Sequence, residues 1–461
     1  MKKNTPTILL FVTFLIVLTL FNTLSTKVLL ADTEQYISVA KEFANTSITK
    51  PRFTSWVYGF FLGQFLKINN SLLILHFVNM IWFLLIFLLI YKITKSNKSL
   101  ILFIFSPLVW YLSIWINPIL PVTFFLLLAY QQLKLFEKSN NYLNFVISAL
   151  SLGLLPTLWI GGIYIYPLFI LAFFYNKIVR QTFTYFIISS ITLLIRPLLD
   201  LYYFGNPFIS LLRGIGANFY FFFNKNPEIA THHPTFLTLI FLSLLISPVL
   251  YKLYKIKVKE NINELFFLSL IFIFYILNFQ YRLFFLILPF LIILLTKFVT
   301  KKDLIIHALT SIIVIILIVQ GPLSIEGNYF GKTEDFLISQ DLKQLEEEFP
   351  NQSFIVGTEG VSEEQALFLD TLYSGKNIKE FIRYSEYKLS LKNETIFKEY
   401  NITTKPKVND SRKIDFSVIY SRTDNRTYED IKYLIIIGDK GEPPENSKFL
   451  KKYNVLRLFE K

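Results

Sequence analysis

Ile81-Trp82-Phe83-Leu84-Leu85-Ile86-Phe87-Leu88-Leu89-Ile90 carries no charge, and its one polar side-chain group is the Trp82 indole N–H. The apolar run extends over 71–91 and ends at Lys92. At 1.5 Å rise per residue, about 20 such residues cross a bilayer core as a helix. Ten further apolar runs read the same way, at 7–30, 99–115, 118–134, 142–159, 162–176, 181–197, 236–251, 264–279, 282–297 and 303–320. Segment 58–66 is too short to span and reads as re-entrant or interfacial. The 461 residues are 53% hydrophobic and include 49 Phe, which places the chain in the membrane class. Lys2 and Lys3 precede the first run, which is too long for a signal-peptide core and lacks a small-residue cleavage site. It is expected to stay as a first span.

Charge divides the chain. Nine of the 33 acidic and 25 of the 46 basic residues precede Pro322, so the net charge of +13 belongs to the apolar part. Alternating the spans from a cytoplasmic N-terminus puts 16 of those bases on one face, among them Lys92, Lys95, Lys98, Lys134, Lys138, Lys252, Lys255, Lys257, Lys259, Lys297, Lys301 and Lys302. That is the positive-inside pattern, and it makes nucleic acid a poor explanation of the basic charge. The expected architecture is a polytopic α-helical membrane domain of about 11 transmembrane helices over 1–321 and an extracytoplasmic α/β domain over 322–461. Strands are expected at 353–357, 416–420, 433–437 and 455–459, and an amphipathic helix at 361–373. The absence of Cys excludes disulfides, thiolate chemistry and Cys-ligated metal.

Two polar segments on the opposite face, 31–70 and 198–235, are long enough to do chemistry. Of the nine early carboxylates, Glu137, Glu260, Glu264 and Asp303 fall among the inner lysines and are expected to solvate loops. Asp32, Glu34, Glu42, Asp200 and Glu228 remain. Asp32 follows the first span directly and suits a general base that accepts a proton from an attacking hydroxyl. The stretch Asp32-Thr33-Glu34-Gln35 also fits a helix N-cap, and Glu34 fits a first-turn acid that favours the helix dipole. Asp32 with Glu34 also offers oxygen ligands for a hard divalent cation, although no cluster has a metal-site spacing. Arg196 and Arg282 stand at outer span ends, where guanidinium forks bind phosphate or snorkel to headgroups. His232-His233 beside Pro234 suits the same depth, and His76 reads as a packing histidine. Trp56, Trp110, Trp115 and Trp159 fall where an aromatic belt is expected, with sugar stacking as a further role for Trp56 or Tyr58.

The order Asp32…Tyr36…Ala40, Lys50-Pro51-Arg52 and Trp56-Val57-Tyr58-Gly59 resembles the first outer loop of GT-C glycosyltransferases. These integral membrane enzymes use polyprenyl-phosphate sugars. They include protein O-mannosyltransferases, lipid A aminoarabinose transferases and the mannosyltransferases of lipid-linked glycan assembly. Arg196-Pro197-Leu198-Leu199-Asp200-Leu201-Tyr202-Tyr203-Phe204-Gly205 is similar to their Asp…Tyr-Gly segment. Gln280-Tyr281-Arg282-Leu283-Phe284 with Leu288-Pro289-Phe290 resembles their Glu-Arg-Phe…Pro segment, with Gln280 in place of the acid. The resemblance covers about residues 1–300. It implies an inverting hexosyltransferase in which Asp32 and Glu34 are catalytic. Arg282, Arg196, Arg52 and Lys50 would hold the donor phosphate. Tyr36, Trp56, Tyr58, Asp200, Tyr203, His232, His233 and Tyr281 would line the substrate pocket. The implied partners are a polyprenyl- or dolichyl-phosphate sugar, mannose first, then a glycan, protein or lipid acceptor, and membrane lipid. The Trp-Trp-Asp motif of oligosaccharyltransferases is missing from the C-terminal part. A transporter or flippase of lipid-linked sugars, and a non-catalytic anchor for the outer domain, are the alternative functions.

The one-sided lysines generate a topological prediction. Protease added to intact cells or right-side-out vesicles is expected to remove residues 322–461, and protection of this part until lysis would contradict the topology.

Overall fold

The computed structural model describes residues 5–24, 33–44, 56–69, 72–113, 115–174, 179–208, 210–212, 236–277, 281–319, 333–357, 369, 378–384, 387, 396–397, 423–424, 430–438, 443–444 and 447–461. The chain divides into two compact units, one of residues 1–26 with 39–329 and the other of residues 27–38 with 330–461.

The first unit is helical. In chain order its helices are α1 (Thr5–Leu24), α2 (Thr33–Ala44, of which the first six residues group with the other unit), α3 (Trp56–Ile68), α4 (Leu72–Thr94), α5 (Asn97–Ile104), α6 (Pro107–Ser113), α7 (Ile119–Ser139), α8 (Tyr142–Leu158), α9 (Gly162–Phe174), α10 (Val179–Leu193), α11 (Ile195–Phe204), α12 (Phe236–Ile246), α13 (Ile262–Leu277), α14 (Leu288–Thr296) and α15 (Lys301–Val319). Leu73–Thr94, Ile119–Ser139 and Val179–Tyr203 are long and apolar enough to cross a membrane, so the quoted stretch lies in a spanning-length helix.

Several apolar runs are not single helices. Run 99–115 breaks into α5 and α6 at Ser106-Pro107, because Pro107 has no N–H and disfavours helical backbone at the residue before it. Run 282–297 opens as a 3₁₀ helix, Tyr281–Leu286, before α14. These breaks free backbone carbonyls inside apolar surroundings, and buried side chains reach them. Trp110 Nε1–H donates to Ile104 O at 2.6 Å, so Trp110 is buried at the break and not part of a lipid-facing belt. Ser106 Oγ lies 3.1 and 2.9 Å from the carbonyls of Leu245 and Ile246 at the end of α12. His307 Nε2 lies 3.0 Å from Leu102 O, which can only accept, so the ring proton is on Nε2 and Nδ1 accepts from Ser247 Oγ at 3.1 Å.

Contacts far apart in sequence gather the lysine-bearing joints at one end of this unit. Thr7 Oγ1–H donates to Asn97 Oδ1 (2.8 Å), and Lys98 Nζ donates to Val299 O (2.7 Å). Lys252 pairs with Asp303 (3.2 Å), Lys297 donates to Asn261 Oδ1 (2.9 Å), and Lys134 pairs with Glu264 (3.1 Å). Glu264 and Asp303 are therefore buried ties between helices, not the loop-solvating acids the sequence suggested. Asp303 also accepts from the N–H and hydroxyl of Thr300, and Thr300 Oγ1 accepts from Asp303 N–H, a capping box at the start of α15.

Parallel helices α8 and α10 approach through small residues, with Ser148 against Tyr185 and Thr157 Oγ1 donating to Thr192 O at 2.8 Å. Between these contacts, a Cβ on Gly153 would lie 2.0 Å from Ser189 O. Backbone approach of this kind is how apolar helices gain packing without a hydrophobic driving force.

In the other unit, α16 (Thr333–Glu348) packs on a five-stranded sheet of order β2-β1-β5-β7-β6, built from β1 (Gln352–Val356), β2 (Ile378–Arg383), β5 (Tyr433–Ile437), β6 (Lys448–Lys452) and β7 (Leu456–Glu460). A short antiparallel pair, β3 (Ile396–Phe397) and β4 (Thr423–Asp424), stands apart from it. Strands β1, β2 and β5 run parallel, and β7 is antiparallel to β5 and β6. The expected strands at 353–357, 433–437 and 455–459 correspond to β1, β5 and β7. Segments 416–420 and 361–373 lie outside the described residues, apart from Leu369. Elements α16, β2 and β6 were not anticipated; three of the five β6 residues are lysine, a composition that suits an exposed sheet edge. The buried Asp341 carboxylate of α16 accepts from the backbone N–H groups of Asn454, Val455 and Leu456 and from the Asn454 side chain, holding the β6–β7 turn. Lys451 beside Glu348 holds that carboxyl below its ordinary range.

Gly153→Val is expected to force α8 and α10 apart, with a loss on the order of 1–3 kcal/mol or more. Thermal unfolding of the purified protein in detergent checks this, and Gly205→Ala, whose Cβ meets nothing within 4 Å, measures only the left-handed backbone penalty at φ +69.

Candidate functional site

A buried polar cluster of the first unit lies on the side remote from the lysine-rich end and joins α3, α8 and α11. Trp56 opens α3, and its Nε1–H donates to Asp200 Oδ1 at 2.7 Å. Asp200 Oδ2 accepts from the Ser210 hydroxyl and, at 3.1 Å, from the Ser210 N–H. The Ser210 oxygen in turn accepts from Arg196 Nε at 2.8 Å. Arg196 is one turn before Asp200 on α11, so both face the same way, and Ser210 bridges a guanidinium to a carboxylate. Arg196 Nη1 donates to Pro156 O at 3.1 Å. That carbonyl is in the last turn of α8, where helix geometry supplies no partner. All three side chains of the bridge are buried, Arg196 at 1% exposure. A buried charge is tolerated when it is paired and hydrogen-bonded, and this arrangement meets both conditions.

Around Trp56 the cluster is aromatic. Phe43 stacks on the indole at 5.6 Å between centroids, and Tyr203 and Phe60 meet it edge-on at 5.7 and 6.3 Å. Val39 and Phe43 of α2 complete the packing. Gly63 lets α3 come this close to α2, since a Cβ there would lie 2.8 Å from Ala40 O. Trp56 is buried and acts here through packing and its N–H. Tyr58 is also fully buried, against Phe61.

A second group lies at the same end of the unit, where α1 ends and α4 begins. His76 Nδ1 is 3.2 Å from Asn22 Oδ1, and Asn79, one turn on, donates to Ser113 O at 2.9 Å where α6 ends. Arg282 lies over the Trp115 ring at 5.3 Å, a cation–π contact, and Trp115 is buried beneath it rather than in an aromatic belt. Tyr281 is half-buried with its ring edge-on to Phe241.

The structure thus brings Trp56, Asp200, Tyr203 and Arg196 into one cluster and holds Arg282 with Tyr281 on a separate 3₁₀ turn. Tyr36 is buried in α2, which opens at Thr33, and Glu34 is in the first turn of that helix. Asp32, Lys50, Arg52, His232 and His233 lie outside the described residues. Among the described residues no three His, Asp or Glu side chains gather as a metal site. Sequence reasoning missed Ser210, Asn22 and Asn79. A lone Ser in a polar segment gives no signal, whereas polar residues inside apolar runs do. No protein-family model matches the chain, and no curated protein matches it.

Trp56→Phe removes the donor to Asp200 Oδ1, and Asp200→Asn turns an amide toward existing donors. Each is expected to cost on the order of 1–3 kcal/mol. In a double-mutant cycle read by unfolding in detergent, the pair is expected to be non-additive by at least about 0.5 kcal/mol, and additivity would remove the hydrogen bond from the account.

Proposed function

We propose that this protein is a membrane glycosyltransferase of the GT-C type. It moves a sugar, mannose as first candidate, from a polyprenyl-phosphate carrier to a hydroxyl acceptor at the lysine-poor face of the bilayer. The proposed topology has eleven spans, a cytoplasmic N-terminus and residues 322–461 outside the plasma membrane of a prokaryote. Three helices of spanning length and lysine joints gathered at one end support that reading.

The observation that carries the functional reading is the Trp56–Asp200 hydrogen bond. It ties segment 31–70 to segment 198–235, the two polar stretches that the charge distribution leaves on the lysine-poor side. Both oxygens of Asp200 are engaged by protein donors, and Arg196 lies behind Ser210, so these residues act as positioning groups. Glu264 and Asp303 are likewise committed to lysines. The proposed chemistry draws its carboxylates, Asp32 and Glu34, from the first loop. In the proposed reaction Asp32 takes the proton of the acceptor hydroxyl as its oxygen attacks the anomeric carbon with inversion. The bond from that carbon to the carrier phosphate breaks, and the phosphate leaves with the electron pair. Arg282, with Arg52 and Lys50, stabilises the charge that develops on it. Buried Asn22, His76 and Asn79 within apolar helices favour the second reading, a transporter of lipid-linked sugars.

An assay with a panel of labelled polyprenyl-phosphate sugars and a polyol acceptor separates the readings. Asp32→Asn caps a helix about as well as Asp but cannot accept a proton. Transfer is expected to fall by a factor on the order of 10²–10⁴ while folding and donor binding persist. Glu34→Gln is expected to cost less. Full transfer by folded Asp32→Asn protein would refute the mechanism, and movement of the carrier without any transfer would support transport.

A further inference from the structure

Leu250-Tyr251-Lys252-Leu253-Tyr254-Lys255 repeats every three residues, with Ile256 continuing the apolar position, and these six residues form a 3₁₀ helix, which has three residues per turn. Each residue type therefore lies along its own edge. Leu250, Leu253 and Ile256 form an apolar edge, and Ile256 is buried against the unit. Tyr251 and Tyr254 form an aromatic edge, 55% and 73% exposed. Lys252 and Lys255 form a cationic edge, each ammonium above its neighbouring tyrosine ring, at 5.1 and 5.6 Å. A second 3₁₀ turn, Val258–Glu260, continues the strap, and neither turn buries any residue.

The strap is anchored where helices end. Lys252 and the Tyr251 hydroxyl hold Asp303, and Asn261 just after the strap accepts from Lys297. Lys255 and Lys259 are exposed on the strap, and the exposed Lys301 and Lys302 open α15 directly before Asp303, the residue to which the strap is tied. The acids at this surface are already engaged, Asp303 by Lys252 and Glu260 by Lys257 at 3.0 Å. What remains is an excess of lysine beside exposed tyrosine and Val258, at the end of three apolar helices, α12, α13 and α15.

We propose that the strap 250–260 with Lys301 and Lys302 is a binding surface for the headgroups of anionic phospholipids. Tyrosine rings would rest among the glycerol and upper acyl groups, as aromatic side chains do at bilayer interfaces. The lysines would meet the phosphodiester charge, each contributing severalfold to affinity. A soluble anion offers nothing to the exposed tyrosines and Val258, which is why a lipid is the chosen occupant. This inference does not depend on the transferase reading.

The test uses full-length protein in mixed micelles, with thermal unfolding followed as phosphatidylglycerol or phosphatidylcholine is titrated in at fixed salt. Phosphatidylglycerol is expected to raise the melting temperature and phosphatidylcholine not, with the difference shrinking as salt rises. In the quadruple variant Lys255→Gln, Lys259→Gln, Lys301→Gln, Lys302→Gln the apparent affinity is expected to fall by on the order of 100-fold. An equal charge loss at Lys343, Lys432, Lys448 and Lys452 of the other unit is expected to leave it unchanged. Should the quadruple variant not fold, Tyr254→Ser with Val258→Ser, both at exposed positions, is expected to weaken phosphatidylglycerol binding at least fivefold. An unaltered response in the folded strap variants, an equal response to phosphatidylcholine, or the same stabilisation by inorganic phosphate alone would each overturn the proposal.

Discussion

A backbone carbonyl without a partner costs several kcal/mol in hydrocarbon, and the helical unit is organised by that penalty. Its helices break at Pro107, before α14 and after α12, and every break exposes carbonyls that the helix no longer satisfies. Ser106, Trp110, His307, Asn79 and Lys98 each reach such a carbonyl, mostly from a different helix. Arg196 does the same at the end of α8. The polar residues of this apolar unit are therefore distributed by where its helices stop. Close packing between them follows, since a side chain that must reach a carbonyl within about 3 Å fixes the spacing of two helices.

The same economy assigns most carboxylates. Glu264 takes Lys134 and the Tyr130 hydroxyl, Asp303 takes Lys252 and caps α15, and Asp200 takes Trp56 and Ser210. Each joins segments distant in sequence, and each is committed to protein donors. A reacting carboxylate needs the opposite condition, with at least one oxygen free to receive a proton. Burial and full hydrogen bonding thus mark Glu264, Asp303 and Asp200 as acids that shape the scaffold.

Legibility in the sequence followed the same division. The helical character of the apolar runs could be read because apolar composition is additive over many residues, and Leu73–Thr94, Ile119–Ser139 and Val179–Tyr203 are of spanning length. Breaks inside runs were partly hidden, since Leu, Phe and Ile continue through them; Pro107, Pro248 and Pro289 stand at three of them, but Pro also opens helices and so does not by itself announce a break. Asp200 and Arg196 were visible as rare charges near span ends, but Ser210, which makes them a unit, is an ordinary residue whose meaning depends on tertiary position. Trp110 and Trp115 were misplaced in a belt for a related reason. Indole N–H groups suit an interface and a buried carbonyl equally well, and a sequence does not say which is nearer. In the sheet-bearing unit, alternating apolar residues revealed β1, β5 and β7, while lysine-rich β6 carries no such pattern.

Asp341 joins α16 to the β6–β7 turn, across 115 residues of chain. While the protein is being made, that carboxylate is synthesised long before its four donors exist. Strand β7, which pairs beside β5, is made after the other four strands of that sheet. The sheet therefore cannot complete its core until residues 456–460 have been made, so α16 and the parallel strands wait for a partner that follows them in the chain. Loss of residues 454–460 alone would deprive Asp341 of all four donors and β5 of its antiparallel neighbour, and quality-control proteases would meet a folded helical unit carrying an unfinished sheet.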